Sequence, residues 1–289
     1  MPIFKEFAFL SNDGVHQIFF RECVPDGDVR GIVQIVHGIA EHSGRYVPFM
    51  EFLAENGYLA VANDHLGHGQ SVNSPDELGW FAEQNGWNTV VRDMDTLRNL
   101  IQEKYPRAPY CFFGHSLGSF LTRTYLIDYP DTLQAAILSG TGQNPAPVVA
   151  AGKALGNAVI SDHNTKARSD MIHSIAFGSY NKKCVEHRTA FDWLTRDQAV
   201  VDAYIADPLC GGRESVGLFV DLMKALQYIW KTDRLNRMNK VLPVYFLSGD
   251  MDPVGNYGKG VRKVYEKFQK VGMRDVTLKL YGQGRHEML

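Results

Sequence analysis

Tyr110-Cys111-Phe112-Phe113-Gly114-His115-Ser116-Leu117-Gly118-Ser119-Phe120 is the stretch that decides the fold. A short run rich in aromatic side chains leads into Gly-His-Ser-Leu-Gly, and an amphipathic helical pattern from Phe120 to Leu126 follows. Strand, sharp turn and helix in that order are what a nucleophile elbow requires. The turn has to hold Ser116 in a strained backbone conformation so that its hydroxyl stands clear of the sheet. Gly114 and Gly118 lack the Cβ atoms that would otherwise hold strand and helix apart. The Leu117 N–H, at the start of the helix, then points to where a carbonyl oxygen would become negative. In a chain with 27 glycines the five-residue pattern alone is weak, and its flanks give it weight.

Working outward toward the N-terminus, Phe4 to Leu10 and Val15 to Glu22 flank Ser11-Asn12-Asp13-Gly14 and predict an antiparallel hairpin. Gly31 to Val36 predicts a buried strand that runs into His37-Gly38-Ile39-Ala40-Glu41-His42-Ser43-Gly44. A helix from Tyr46 to Asn56, closed by Gly57, leads to a strand over Tyr58 to Asn63. From Trp87 to Tyr105, apolar residues at Val90, Val91, Met94, Leu97, Leu100 and Ile101 mark a core-facing helix. Beyond the elbow, Leu133 to Ser139 forms the next strand. This alternation implies an α/β fold with a mostly parallel central sheet flanked by helices, whose strand-end loops gather at one edge.

From Gln143 to Leu235 the alternation stops, and helical patterns at Val148 to Val159, Met171 to Phe177 and Val216 to Leu226 suggest an inserted helical cap. Strands return at Leu242 to Ser248 and Val276 to Tyr281, around a helix from Gly258 to Val271. The expected organisation is therefore a first core part over 1–142, the cap over 143–235 and a second core part over 236–289.

Composition narrows the function classes. Thirty Lys+Arg against 32 Asp+Glu leave a net charge near −2 with no basic cluster, which argues against nucleic acid as a partner. The N-terminus shows no leader pattern and no apolar run reaches membrane-spanning length, so the expected location is cytoplasmic. Cys23, Cys111, Cys184 and Cys210 are widely spaced and suggest neither a zinc site nor a disulfide framework, and Cys111 is expected to be buried in the elbow strand.

A serine hydroxyl needs a base, and His286 follows the last strand on the same sheet edge as the elbow. The orienting acid should follow the strand ending at Ser248-Gly249, where Asp250 and Asp252 both stand. Asp252, beyond the strand tip and before Pro253, is preferred, with Asp250 capping the turn. The order Ser116, Asp252, His286 is that of an α/β hydrolase. A second oxyanion donor fits the Ile39 N–H, since Gly38 lets that loop approach the elbow without a side chain in the way. Asp64, His65 and His68 lack a third ligand at metal spacing and are expected to brace a loop, so no metal is implied. Gly255, Gly258 and Gly260 do not follow a strand as a dinucleotide fingerprint would, so no cofactor is implied.

With these segments in view, the chain resembles the monoacylglycerol lipase and lysophospholipase branch of the α/β-hydrolase superfamily, of the serine aminopeptidase S33 type. The resemblance is carried by His37-Gly38-Ile39-Ala40-Glu41-His42-Ser43-Gly44-Arg45-Tyr46, Asp64-His65-Leu66-Gly67-His68-Gly69-Gln70-Ser71, Gly114-His115-Ser116-Leu117-Gly118, Gly249-Asp250-Met251-Asp252-Pro253 and Arg285-His286-Glu287. It implies Ser116, Asp252 and His286 as catalytic triad and the Ile39 and Leu117 N–H groups as oxyanion donors. The cap region diverges, and relatives usually continue into a final helix where this chain stops three residues after His286.

The expected function is that of a serine carboxylester hydrolase acting on monoacylglycerols, lysophospholipids or similar single-chain esters through an acyl-Ser116 intermediate. The expected partner is a small-molecule or lipid ester, with at most transient membrane-surface contact through the cap. Leu155, Val159, Ile175, Phe177, Leu218, Phe219, Leu222 and Ile229 are candidates for the acyl pocket, although most apolar stripes simply pack. Three rivals stand beside this reading, the blandest of them a fold-only binding protein, which an intact Ser, Asp and His set argues against. A proline-iminopeptidase-like serine peptidase would use acidic cap residues such as Glu186, Asp192 or Asp202 to hold a free amino terminus. A low-turnover ligand-binding sensor would keep the fold and triad.

Overall fold

A computed structural model describes residues 2–160, 164–184 and 188–289. Along the chain run β1 (Ile3–Leu10), β2 (Gln17–Val24), β3 (Gly31–Val36), α1 (Val47–Glu55), β4 (Tyr58–Asn63), α2 (Gly86–Lys104), β5 (Tyr110–His115), α3 (Leu117–Asp128) and β6 (Ala135–Ser139). Then come α4 (Ala146–Val159), α5 (Asp170–Phe177), α6 (Gln198–Ala206), α7 (Val216–Tyr228), α8 (Thr232–Leu235), β7 (Val244–Gly249), α9 (Lys259–Lys270) and β8 (Val276–Tyr281). The strands form one eight-stranded sheet in the order β1-β2-β4-β3-β5-β6-β7-β8. β1 and β2 pair antiparallel, as does β2 with β4, and every pairing from β4 to β8 is parallel. This is the sheet of an α/β-hydrolase fold.

β3 and β5 occupy the middle, and all six residues of β3 are buried. A polar side chain there must find partners, and Gln34 does: its amide donates to Met94 O at 3.1 Å and its carbonyl accepts from Tyr110 Oη at 2.6 Å. Along β5 the side chains alternate. Phe112 packs with Met94 and Leu97 of α2 and Leu121 and Tyr125 of α3, while Phe113 joins Val33, Ile35 and Met50 of α1 on the opposite face. Burying such side chains stabilises the fold by about 1.5–3 kcal/mol each, which fixes α2 and α3 against the sheet more firmly than helix propensity could. Cys111 shares the Phe113 face but is half buried rather than fully buried as the sequence suggests.

α4 to α8 lie between β6 and β7, and α7 packs against α4, α2 and α3. β6 and β7 begin two residues later than the sequence pattern suggests, at Ala135 and Val244. α6 and α8 were not anticipated. The start of α6 is fixed by the Asp197 carboxylate, which accepts the Ala199 N–H at 2.9 Å. Among the described residues no helix is long and apolar enough to cross a membrane.

Candidate active site

Ser116 sits between β5 and α3 with φ 53° and ψ −119°, a region that non-glycine residues seldom occupy and that costs about 1–3 kcal/mol. Three bonds hold it there: Ser116 N–H donates to Ser139 O at 2.9 Å, and the N–H and hydroxyl of Ser119 donate to Ser116 O at 2.9 and 2.6 Å. The glycines are required by close approach rather than by positive φ. A Cβ on Gly118 would lie 1.9 Å from Val36 O, and one on Gly114 would lie 2.4 Å from Thr122 Oγ1.

The loop after β3 reaches the same spot. A Cβ on Gly38 would stand 3.1 Å from Ser116 Cβ, so the backbone of that loop lies against Ser116. Gly38 N–H is occupied by Glu41 Oε1 at 2.5 Å, whereas the N–H groups of Ile39 and Leu117 donate to no acceptor among the described residues. Those two amides are available to an incoming oxygen.

His286 Nδ1 and Asp252 Oδ1 are 3.0 Å apart, and both residues are buried. Asp252 is fixed in turn by the Val254 N–H at 2.9 Å and the Ser248 hydroxyl at 3.3 Å. Asp250 instead accepts the Gln283 N–H at 2.7 Å, away from the imidazole, so geometry separates the two carboxylates that sequence order left adjacent. Gly140, with φ 58°, leaves room for the ring, since a Cβ there would be 2.8 Å from His286 Cε1. Burial opposes the charged imidazolium, but the Asp252 carboxylate beside it, helped by Glu287 and Glu41, raises the His286 pKa above its ordinary 6.5. The His115 ring, 4.6 Å from it, is pushed the other way, to about 3, by burial and by His286 itself.

Ser116 and His286 line one cavity of about 420 Å³. No hydrogen bond joins their side chains among the described residues; such contacts are commonly long in empty active sites and shorten around substrate. Its apolar lining includes Ile39, Phe177, Phe191, Trp193 and Leu194. Of the apolar cap residues proposed from sequence, only Phe177 lines this cavity. Leu218, Phe219 and Ile229 are buried in the main core, Leu155, Val159 and Leu222 pack against it, and Ile175 faces solvent. Trp193 and Leu194, from the segment before α6, could not be found by helical periodicity. Their backbone carbonyls accept the His286 and Glu287 N–H groups at 3.4 and 2.7 Å, which seats the histidine loop on the insert.

The lining also holds the polar side chains of His173, Asn181 and Glu214. Glu214 and His173 pair at 3.1 Å, and Glu214 Oε1 and Asn181 Oδ1 are buried with no hydrogen-bond partner. The acidic residues weighed for a peptidase lie elsewhere. Asp192 accepts the backbone N–H of Arg188 and of Thr189, Asp202 pairs with Arg188 at 2.9 Å, and Glu186 lies outside the described residues.

Asp64 accepts three bonds, from Ser43 N and Oγ and from Gln70 N, at 2.6–2.8 Å. Its neighbours His65 and His68 stack near His37, with ring centroids 4.0 and 5.4 Å from it. His42, Asp207 and Cys210 bring N, O and S atoms within 4.8 Å of one another. His42 Nδ1 accepts the Gly44 N–H at 3.2 Å, which leaves the proton on Nε2, and that nitrogen donates to Asp207 Oδ2 at 2.8 Å. The ring therefore offers no lone pair to a metal in this arrangement, and the contact works as a strap from the oxyanion loop to the end of α6.

Comparison with known proteins agrees with this architecture. A monoacylglycerol lipase from Mycolicibacterium smegmatis is 31% identical over 293 residues, covering 98% of this chain and 90% of its own. A monoglyceride lipase from Rattus norvegicus is 25% identical over 284 residues, covering 98% and 84%. The crystal structure of a thermostable carboxyl esterase from Bacillus coagulans, in complex with glycerol, superposes with a TM-score of 0.90 at 30% identity, over 99% of this chain and 92% of that one. The sequence profile described as serine aminopeptidase, S33, matches residues 27–289. With elbow, sheet order and full-length relatives in agreement, the chain belongs to the serine aminopeptidase S33 family and is a serine hydrolase of the α/β-hydrolase fold.

Proposed function

We propose that the protein hydrolyses monoacylglycerols and similar single-chain esters through an acyl-Ser116 intermediate. Ser116 Oγ attacks the ester carbonyl carbon while His286 Nε2 takes its proton, and Asp252 holds the imidazole by Nδ1 and stabilises the imidazolium. The tetrahedral oxyanion is received by the N–H groups of Ile39 and Leu117. Collapse expels the alcohol oxygen, which takes the proton back from His286. Water then adds to the acyl group with His286 as base, and the fatty acid leaves Ser116.

The single observation that supports this substrate class is the mixed apolar and polar lining of the cavity that holds Ser116 and His286. Its apolar side chains suit an acyl chain, and Glu214 and Asn181, which also line it, carry acceptor oxygens of the kind a hydroxyl-bearing alcohol bonds. A glyceryl group supplies such donors. The inserted helices act as the cap in this reading, and exposed Met171 and Ile175 on α5, beside cavity-lining His173 and Ser174, form the edge that meets a lipid surface. A cytoplasmic setting suits a chain with four thiols and no disulfide. Neither the peptidase nor the sensor reading is favoured by the relatives.

Steady-state hydrolysis of monoacylglycerols, p-nitrophenyl esters of equal chain length, lysophosphatidylcholine and prolyl arylamides tests the proposal. Glu214→Ala is expected to raise KM for the monoacylglycerol by about 10- to 100-fold while sparing the p-nitrophenyl ester. Equal losses on both esters, or faster turnover of the arylamide or lysophospholipid by the unaltered protein, would contradict it.

A further inference from the structure

We propose that Arg45 is a positioning residue for hydrolysis: its guanidinium ties the loop that carries the Ile39 oxyanion donor to the loop that carries His286. This rests on the acyl-transfer reading of the Ser116 site. Arg45 Nη1 donates to Glu41 Oε2 at 2.5 Å, and its two terminal nitrogens grip Glu287 Oε1 and Oε2 at 2.7 and 3.0 Å. Glu41 in turn accepts the Gly38 N–H at 2.5 Å and the Tyr46 hydroxyl at 2.9 Å, one residue before Ile39. Glu287 directly follows His286. One planar cation therefore spans two loops 242 residues apart in sequence, each carrying half of the reacting arrangement. The guanidinium also lies 4.8 Å from the centre of the Tyr204 ring, whose hydroxyl donates to Ala40 O at 2.9 Å, so the insert is drawn into the same knot.

The arrangement is more than packing, because the carboxylates it neutralises act electrostatically on the imidazole. Around His286 stand Asp252, Glu287 and Glu41 as carboxylates and the Arg45 guanidinium opposing the last two. Neutral His115 and the Trp193 ring, at 4.6 and 5.1 Å, complete the surround. Burial opposes the charge on Glu41, but Arg45, together with His115, His37 and the Gly38 N–H, brings that carboxyl down to about 2. A lysine would keep the charge but cannot grip both carboxylates with a planar fork.

The test is the pH-dependent rate at which a fluorophosphonate labels Ser116, which reads nucleophile, base and oxyanion donors without any assumption about the natural ester. Thermal melts of each variant accompany it. Arg45→Met is expected to label about 100-fold more slowly while remaining folded, and Arg45→Lys to recover part of that loss. Glu287→Gln, which leaves Arg45 with Glu41, is expected to slow labelling and to move the acid limb of the profile to lower pH, since it removes a carboxylate that favours the imidazolium. A purely structural role would lower the melting temperature without moving that limb. Labelling of folded Arg45→Met at the original rate overturns the proposal, as does an unmoved limb in Glu287→Gln should Arg45→Met fail to fold. If the unaltered protein labels at Ser116 but hydrolyses no monoacylglycerol, the substrate reading fails while the tie through Arg45 is still decided by these rates.

Discussion

Ser116→Ala lowers ester hydrolysis by about 10⁵- to 10⁶-fold in kcat, with KM changed little, when measured on a p-nitrophenyl ester and on a monoacylglycerol. The size follows from what remains. Alanine leaves the Ile39 and Leu117 amides and the apolar wall in place, so substrate still binds, but no hydroxyl is present to form the acyl intermediate. Water bound near His286 would have to attack directly, and the strained turn that presents Oγ would have nothing to present. Stability should rise or stay level, because Ser116 Oγ makes no hydrogen bond among the described residues. The φ of 53° is imposed by Ser116 N–H and Ser119, whose bonds to the backbone survive the change. Equal loss of stability and activity would point to a folding defect instead.

Asp252→Asn is expected to cost about 10⁴-fold, because the carboxamide can present its N–H to His286 Nδ1 and turn the imidazole into the tautomer that cannot accept the Ser116 proton. It also changes the pH dependence, with a definite sign. In the unaltered protein the imidazole must be neutral to act as base, and its pKa stands above 6.5 because Asp252, Glu287 and Glu41 outweigh burial. Activity should therefore fall as pH drops through a midpoint above 6.5. With the principal carboxylate removed, burial gains weight and the midpoint of the residual activity moves down. A pH–rate profile of kcat/KM for both proteins measures this.

The sequence made the sheet legible because its signals are local. β3, β4 and β5 are short apolar runs bounded by loops, and the elbow declares itself within eleven residues. The candidate triad was legible for a different reason: in a parallel sheet every loop after a strand falls at one edge, so strand order alone brings Ser116, Asp252 and His286 to a common rim. The choice between Asp250 and Asp252 depended on which carboxylate the final loop reaches, and the hydrogen bond to Gln283 N–H against that to His286 separates them. The cavity wall was not legible. Helical periodicity pointed to Leu218, Phe219 and Ile229, which the core absorbs, while Trp193 and Phe191 come from an irregular segment with no period to detect. Arg45, Glu41 and Glu287 stood in view only as letters of a resemblance, because an ion pair across 242 residues leaves no spacing to read.

The most direct test of the site is a crystal structure of the protein after reaction with an alkyl phosphonate ester, whose tetrahedral phosphorus stands in for the attacked carbonyl carbon. The expected result is a covalent bond from Ser116 Oγ to phosphorus. One phosphonyl oxygen should lie within about 2.7–3.1 Å of both the Ile39 and Leu117 nitrogens, with the alkyl group along Phe177, Phe191 and Trp193. Phosphorus bound to another side chain, or an oxygen turned away from those two amides, would contradict it.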